Sequence, residues 1–182
     1  MTMRISGGEL RSRAVPSPRG AAVRPTPGRV KEALFSIVGE RIAGARVLDL
    51  YAGTGAIGFE ALSRGAEHVV FVEIHAPTAA AIKRTAQEFG LTEKVSVICS
   101  PVETAAKRVA GRFDMVYADP PYALPPPHLT FGRLRERGAI DAETIVIYER
   151  RNDGPLFASP GFETAREANY GETTLQFLKV VP

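Results

Sequence analysis

Short apolar runs alternate with amphipathic segments along most of the chain. Apolar runs bounded by glycine, proline or charged residues predict buried strands, and apolar positions spaced by three and four predict helices. The predicted strands are 47–51, 68–73, 95–99, 113–118 and 144–149. The predicted helices are 56–64, 77–89, 102–109 and about 127–137, preceded by one that begins at Thr26 and Pro27. This alternation predicts right-handed βαβ units on a parallel sheet, and hence an α/β fold.

The two ends of the chain have a different pattern. Residues 162–168 and 173–181 read as two strands joined by a tight turn, which predicts an antiparallel pair at the sheet edge. Near the N-terminus, Gly7–Gly8 lies between two β-forming stretches, a signal for a two-residue hairpin that would place Arg11 and Arg13 on one face. We therefore expect an N-terminal hairpin arm over 1–26 and an α/β domain over 27–182.

The most informative motif is Asp119-Pro120-Pro121-Tyr122, directly after the strand predicted over 113–118. The carboxyl edge of an open α/β sheet is where ligands bind. Proline has a fixed φ and no N–H, so the nearby carbonyl groups are free to accept hydrogen bonds. A carboxylate, such a carbonyl and an aromatic ring together suit the exocyclic amino group of a nucleobase.

A glycine turn upstream suggests the cofactor. Gly53, Gly55 and Gly58 fit G-x-G-x-x-G after a strand, and Glu73 lies 20 residues beyond Gly53, the spacing of a ribose-binding acid. Asp49 adds a second carboxylate, which would repel the pyrophosphate of a dinucleotide. S-adenosylmethionine (SAM) has a sulfonium, an ammonium and a ribose diol instead. Asp49 would hold its methionyl end and Glu73 its ribose, so SAM is favoured over a nicotinamide cofactor.

Composition is that of a single domain: 182 residues with 45% hydrophobic content. No apolar run approaches 18 residues and no signal-peptide pattern is present, so we expect no membrane association and a cytoplasmic location. Cys99 is the only cysteine, which excludes disulfides within the chain and thiolate zinc clusters, and we expect it to be buried. His68, His75 and His128 lack ligand spacing, so no metal is expected. A monomer is the expected state.

Charge is distributed unevenly. Residues 1–31 contain seven basic and one acidic side chain, a balance of 7 − 1 = +6, whereas the remaining residues hold 16 basic and 19 acidic groups, a balance of −3. A basic arm on an acidic body is expected of a protein that binds a polyanion. The arginines that we expect to face RNA are Arg4, Arg11, Arg13, Arg24 and Arg29.

These motifs, in this order along the whole chain, resemble a Rossmann-like class I SAM-dependent amino-methyltransferase. The N-terminal run from Arg4 to Arg13, followed by Arg24-Pro-Thr and Arg29-Val-Lys-Glu-Ala-Leu-Phe, is similar to the bacterial 16S rRNA (guanine-N2)-methyltransferases of the RsmD type. The resemblance implies a seven-stranded, mostly parallel sheet whose last strands are antiparallel. The family's basic-glycine-basic triplet is here Arg11-Ser12-Arg13, a departure from the family pattern.

The resemblance also implies roles for individual residues. Asp119 and the Pro120 carbonyl would accept the two hydrogens of a guanine amino group in small-subunit rRNA, and Tyr122 would stack on the flipped base. The residues implied to bind SAM besides Asp49 are Tyr51, Gly53 and Gly55 at the methionine pocket, Glu73 and Ile74 at ribose and adenine, and the turn from Ser100 to Val102 beside adenine.

Three alternatives remain open at this stage. A DNA adenine or cytosine amino-methyltransferase uses the same tetrapeptide, but only about twenty residues separate Tyr122 from the next predicted strand, which leaves no room for a base-reading domain. A protein-glutamine methyltransferase would leave the arginine-rich hairpin unexplained. A non-catalytic RNA-binding assembly factor would be expected to have lost Asp49, Gly53, Glu73 or Asp119, and all four are present.

Overall fold

The structure is a computed structural model that describes residues 3–16, 28–121 and 123–182. Its strands are β1 (Met3–Arg4), β2 (Ala14–Val15), β3 (Arg46–Leu50), β4 (His68–Glu73), β5 (Val95–Cys99), β6 (Met115–Ala118), β7 (Ile145–Arg151), β8 (Phe162–Tyr170) and β9 (Thr173–Val180). Seven of them form one sheet in the order β5-β4-β3-β6-β7-β9-β8, and β1 pairs with β2 separately. This is the class I methyltransferase architecture, with an N-terminal hairpin as predicted.

Helices cover both faces of the sheet. They are α1 (Gly28–Val38), α2 (Ala56–Ser63), α3 (Ala76–Glu88), α4 (Val102–Ala105) and α5 (His128–Glu136). One core cluster joins α1, α2 and α3 to the sheet, and a second joins α4 and α5 to the opposite face. Within the described ranges, no helix has the length and apolar character needed to cross a membrane.

The register of the central strands decides which residues meet at the carboxyl edge. β3 is parallel to both β4 and β6, and Leu50 pairs with Val72 on one side and Ala118 on the other. The chain that leaves β3 therefore lies between the ends of β4 and β6. On the far side, β9 runs antiparallel to β7 and to β8, which confirms the predicted antiparallel pair.

The predicted elements agree with the structure apart from their ends, and α4 shows the largest difference. We predicted a helix over 102–109, but α4 ends at Ala105. Lys107 and Arg108 donate to carbonyl groups three residues earlier, so the chain tightens into turns there. The predicted N-terminal cap of α1 at Thr26 and Pro27 lies outside the described residues.

The hairpin does not turn where the sequence predicted. Met3 pairs with Val15 and Arg4 with Ala14, so the connection is centred near Glu9 and not at Gly7–Gly8. The glycines serve a different contact, because a Cβ atom on Gly8 would lie 1.8 Å from the carbonyl oxygen of Ser63 in α2. The predicted two-residue turn is therefore wrong, and the shared face of Arg11 and Arg13 stays a prediction.

The hairpin packs on α2 and completes its burial. All eight residues of α2 are buried, although a short surface helix would normally expose one side. Ile5 and Val15, each 1% exposed, belong to the same core cluster as α2. The arm thus covers the face of α2 that points away from the sheet.

Candidate active site

Asp119 follows β6 at the carboxyl edge of the sheet. β6 is buried along its whole length between β3 and β7, and Asp119 itself is half-buried. Pro120 is buried, Pro121 is exposed, and the Pro121 carbonyl accepts a hydrogen bond from the Leu124 N–H at 2.8 Å. Tyr122 lies outside the described residues. Asp119, Pro120 and Pro121 therefore lie at the rim of this edge.

The charge of Asp119 affects the pKa of a tyrosine on the neighbouring strand β7. Tyr148 of β7 pairs with Ala118, the last residue of β6. Burial raises the pKa of the Tyr148 phenol above its ordinary value, Arg150 opposes the shift, and the Asp119 carboxylate adds to it. Asp119 and the Tyr148 ring are therefore close enough to interact at the same edge.

The glycine turn begins where β3 ends. Tyr51 has a φ of 58°, which is uncommon for a residue with a side chain, and Gly53 and Gly55 have φ values of 54° and 79°. The Gly55 N–H donates to the Ala52 carbonyl at 2.7 Å, which closes the turn immediately before α2. These left-handed conformations turn the chain from the end of β3 into α2.

Gly58 allows α2 to lie close to the sheet. A Cβ atom at this position would be 2.2 Å from a ring carbon of Phe71 and 2.8 Å from a methyl group of Val69. The third glycine of the motif is thus needed for helix–sheet packing. The close approach also brings the Gly58 N–H to the Asp49 carboxylate at 3.0 Å.

Glu73 holds the glycine turn against the end of β4. One of its carboxylate oxygens accepts the Gly53 N–H and the other accepts the His75 N–H, both at 2.8 Å. The residue is 9% exposed. A carboxylate has about four acceptor positions, so further positions remain for a diol beside the turn. This geometry fits the ribose-binding role that the sequence suggested.

Asp49 lies deeper than the sequence suggested. It is 1% exposed, inside β3 and below the glycine turn. Burial raises its pKa to about 8; the Gly58 N–H partly opposes this shift, and the negative charge of Glu73 adds to it. The carboxyl group is therefore mostly protonated at neutral pH in the cofactor-free protein. A contact with the methionyl end of SAM stays a prediction.

The residues expected beside adenine differ in exposure. Ile74 follows β4 and is 67% exposed, an unusual position for a large aliphatic side chain. Ser100 is half-buried after β5, and Val102 is buried in the first turn of α4. Cys99 is exposed, because β5 is the edge strand, so its predicted burial is wrong. Together these residues can accommodate one face of a planar ring.

Glu103 is a further acidic neighbour of the site. The pKa of the Tyr51 hydroxyl is raised to about 12, first by burial, then by the Glu103 carboxylate and by Tyr148. Glu103 therefore faces Tyr51 across the carboxyl edge. It lies in the first turn of α4, where a negative charge also favours the helix terminus.

The arm extends from the glycine turn towards the end of α3. The Thr54 hydroxyl is 3.8 Å from the sulfur of Met3, and the Arg13 guanidinium lies 4.6 Å above the Phe89 ring. Arg13 also donates to the Glu88 carbonyl at 3.1 Å. The arm thus reaches from the cofactor side to the far end of α3.

The predicted RNA-facing arginines lie on the arm and on α1. Arg4 is exposed and donates to the Ser12 carbonyl at 2.8 Å, while Arg11 is exposed within the turn. Arg29 is exposed at the start of α1. Arg24 lies outside the described residues.

Comparison with known proteins identifies the family. The model of the family named Conserved hypothetical protein 95 matches residues 3–179. Ribosomal RNA small subunit methyltransferase D of Haemophilus influenzae is 31% identical over 172 residues, 93% of this chain and 89% of that protein. The chain belongs to this RsmD family.

Solved structures show the same fold. A hypothetical protein of Thermus thermophilus is 31% identical, with a TM-score of 0.80 over 98% of this chain and 99% of that chain. A methyltransferase of Podospora anserina, PaMTH1, solved with S-adenosylhomocysteine bound, has a TM-score of 0.66 at 14% identity and covers 87% of this chain and 80% of that chain. This more distant likeness shows a shared fold.

The RsmD-family site of this chain has the chemical character that SAM requires. Glu73 offers acceptor positions beside the glycine turn, Ile74 offers an apolar face, and the carboxylates of Glu73 and Glu103 lie where a pyrophosphate would be repelled. A ligand with two positive groups is favoured at such an edge. In the part of the chain that the structure describes, no cluster of side chains could hold a metal ion.

Proposed function

We propose that this RsmD-family protein is a SAM-dependent rRNA methyltransferase that modifies the N2 amino group of one guanine in 16S rRNA. The observation that carries the proposal is the pairing of β3 with β6, because it sets Asp119 beside the glycine turn that follows Leu50. A carboxylate that accepts from an amino group and a turn that suits SAM thereby share one edge. The relatives named for small-subunit rRNA methylation support the RNA substrate.

Methyl transfer mainly requires that the guanine amino nitrogen is aligned with the methyl group of SAM. When bound, SAM supplies an activated methyl group on its sulfonium sulfur. The lone pair of the guanine amino nitrogen is delocalised into the ring, which makes that nitrogen a weak nucleophile. Asp119 and the Pro120 carbonyl would accept its two hydrogens, favour a pyramidal nitrogen and direct the lone pair towards the methyl group. Tyr122 would hold the flipped base by stacking.

The cofactor is SAM, held by the residues at the ends of β3, β4 and β5. Glu73 would accept from the ribose hydroxyls, and Ile74 would lie against adenine with Ser100 and Val102 at its border. Tyr51, Gly53 and Gly55 would line the methionine pocket above Asp49. None of these roles requires a metal.

The substrate that we propose is an assembled or partly assembled small ribosomal subunit. Arg4, Arg11, Arg13, Arg24 and Arg29 would bind phosphates, which fix position but read little sequence. Selection of a single guanine would then depend on the shape in which the folded particle presents that base. Such a protein would work in the cytoplasm, where small subunits are assembled. It would act as a monomer.

The test is methylation with tritiated SAM of small subunits, deproteinised 16S rRNA and DNA at matched salt, followed by mapping of the labelled nucleotide. We expect one N2-methylguanine in rRNA, with a higher kcat/KM on subunits. Label in DNA, or in protein, would refute the proposal. Equal efficiency on naked rRNA, with the same guanine modified, would refute the assembled substrate alone.

Asp119→Asn tests the assigned roles in the same assay. The substitution removes the charged acceptor of the amino hydrogens, so methylation should fall by at least about a hundredfold. SAM affinity, measured by calorimetry, should stay within about twofold, since Asp119 serves the base. Asp141→Asn is the matched control, because Asp141 precedes β7 at the opposite edge of the sheet and pairs with Arg112 there. Loss of SAM binding in Asp119→Asn would place Asp119 in the cofactor site instead.

A further inference from the structure

A buried carboxylate on α2 is the meeting point of the arm, α1 and α2. Glu60 lies in the middle of α2 and its side chain is 0% exposed. It accepts hydrogen bonds from five donors among the described residues. They are the Ser6 N–H at 2.8 Å, the Ser6 hydroxyl at 2.8 Å, the Gly7 N–H at 2.9 Å, the Lys31 ammonium at 2.5 Å and the Arg64 guanidinium at 2.9 Å.

Lys31 brings α1 into the same contact. Its side chain is 2% exposed, and its ammonium donates to the Arg4 carbonyl at 2.6 Å as well as to Glu60. Burial alone would raise the pKa of Glu60, but the hydrogen bonds from Lys31 and Ser6 outweigh that effect and lower it. Glu60 is therefore ionised at neutral pH, and each of the two charges compensates the other.

Ser63, one helical turn beyond Glu60, extends the attachment along the arm. Its hydroxyl donates to the Gly7 carbonyl at 2.6 Å and accepts the Leu10 N–H at 2.9 Å. The Ser63 carbonyl accepts the Glu9 N–H at 2.8 Å. Gly8 lies directly against that carbonyl, where no other residue fits. The backbone of the arm is thus bonded to α2 from Ser6 to Leu10.

The buried ion pair of Lys31 and Glu60 is unusual because it also holds the backbone of the arm. A buried ion pair stabilises a fold weakly, because desolvation offsets most of the attraction, and its best-attested use is to fix one arrangement of elements. Here both charges bond to backbone atoms of the arm. The first turn of the same helix donates the Gly58 N–H to Asp49 below the cofactor turn. One short helix therefore sets the position of the arm relative to the glycine turn.

We infer that Glu60 is a positioning residue that docks the arginine-bearing arm on α2 before RNA binds, so that rRNA meets a preformed surface. The inference rests on the proposed function. Undocked, the arm would remain tethered and basic, but Arg4 and Arg11 would lose their fixed distance from the methyl-transfer edge. Apparent affinity then falls in proportion to the docked fraction.

Glu60→Gln is the variant that tests this inference. Both carboxylate oxygens face donors, so the NH₂ group of a glutamine must oppose either the Ser6 N–H and Lys31 or the Ser6 hydroxyl, Gly7 and Arg64. Glu67→Gln is the matched control, because Glu67 is exposed beyond the end of α2 and the same charge is removed. Three quantities are measured: hydrogen exchange of the Ser6, Gly7 and Leu10 amides, the KM for small subunits, and the dissociation constant of SAM.

We expect faster exchange at these amides in Glu60→Gln and a KM for small subunits raised about tenfold, the effect of an arm docked about a tenth of the time. The kcat and the SAM dissociation constant should stay within about twofold of the wild-type values. General unfolding would change these two quantities as well, so a change in KM alone distinguishes loss of docking from unfolding. Glu67→Gln should match the wild type in all three.

A second variant covers the case in which Glu60→Gln fails to fold. Ser63→Ala removes two arm contacts without leaving a buried charge unpaired, and it should raise the exchange rates and the KM in the same direction. Released amides with an unchanged KM would overturn the inference, as would amides protected as in the wild type. A wild-type protein that methylates no rRNA would instead refute the proposed function.

Discussion

Lowering the pH from 8 to 6 should weaken SAM binding about fiftyfold. The pKa of Asp49 is about 8 in the cofactor-free protein, chiefly because the residue is buried. About half of the molecules have an ionised Asp49 at pH 8 and about one in a hundred at pH 6, a ratio that corresponds to about 2 kcal/mol. A ligand with an ammonium and a sulfonium group selects the ionised form, so binding should release a proton from Asp49 below pH 8.

The assay is calorimetric titration with SAM from pH 6 to pH 9, in two buffers of different ionisation enthalpy so that proton release is measured directly. Asp49→Asn is the control, because an amide oxygen can still accept the Gly58 N–H and any titration of the ligand itself is common to both proteins. We expect the ratio of wild-type to variant affinity to rise with pH and to level off above about 8. A ratio independent of pH would refute the reasoning and leave Asp49 with a structural role through Gly58.

The same ionisation should appear in the stability of the cofactor-free protein. The pKa of Asp49 is raised by folding from an ordinary value of 3.8 to about 8. Its contribution to stability is therefore fully present below pH 3.8 and is lost as the pH rises through 8. Urea unfolding of the wild type, compared with Asp49→Asn, should show this loss. Equal pH profiles for the two proteins would mean that the pKa is not raised.

Two further substitution pairs follow from the structure. Gly58→Ala should destabilise the protein by about 1–3 kcal/mol in urea unfolding, because the added Cβ would overlap Phe71. Gly132→Ala in α5, where an added Cβ would meet no neighbouring element within 4 Å, should be neutral or stabilising by up to about 1 kcal/mol. Equal effects of the two substitutions would argue against the close packing of α2. Arg11→Ala should flatten the dependence of log RNA affinity on log salt by about 0.7–0.9 if Arg11 contacts one phosphate. Arg41→Ala, whose guanidinium instead donates to the Glu143 carbonyl, should leave that slope unchanged, and a wild-type slope in Arg11→Ala would exclude the phosphate contact.

The local pattern of the sequence was sufficient to predict most of the fold. Strands such as β4 and β6 are buried on both faces, so they form continuous apolar runs that the sequence displays directly. The glycine spacing predicted the turn before α2. The 20-residue spacing from Gly53 to Glu73 predicted an acidic side chain beside that turn. These features depend on residues close together in the chain or on one strand.

Contacts between distant parts of the chain could not be predicted in this way. Nothing in the local sequence pattern links Lys31 to Glu60, and their meeting across 29 residues buries both. The hairpin turn was placed wrongly for the same reason, since Gly8 is required by Ser63 of α2 and not by its neighbours in the chain. Burial of Asp49, too, follows from the packing of Gly58 on Phe71.

The proposed RNA binding by the arm and its packing on α2 are two roles that truncation cannot separate. Ile5 and Val15 cover the outer side of α2, so removal of the arm would expose the helix that supports the glycine turn. A truncated protein would lose methylation whether the arm binds RNA or only completes the core. Point substitutions avoid this ambiguity, because Arg11 is exposed in the turn and Glu60 bonds the arm to the body. A change in salt dependence without a change in stability in Arg11→Ala would assign RNA binding to the arm itself.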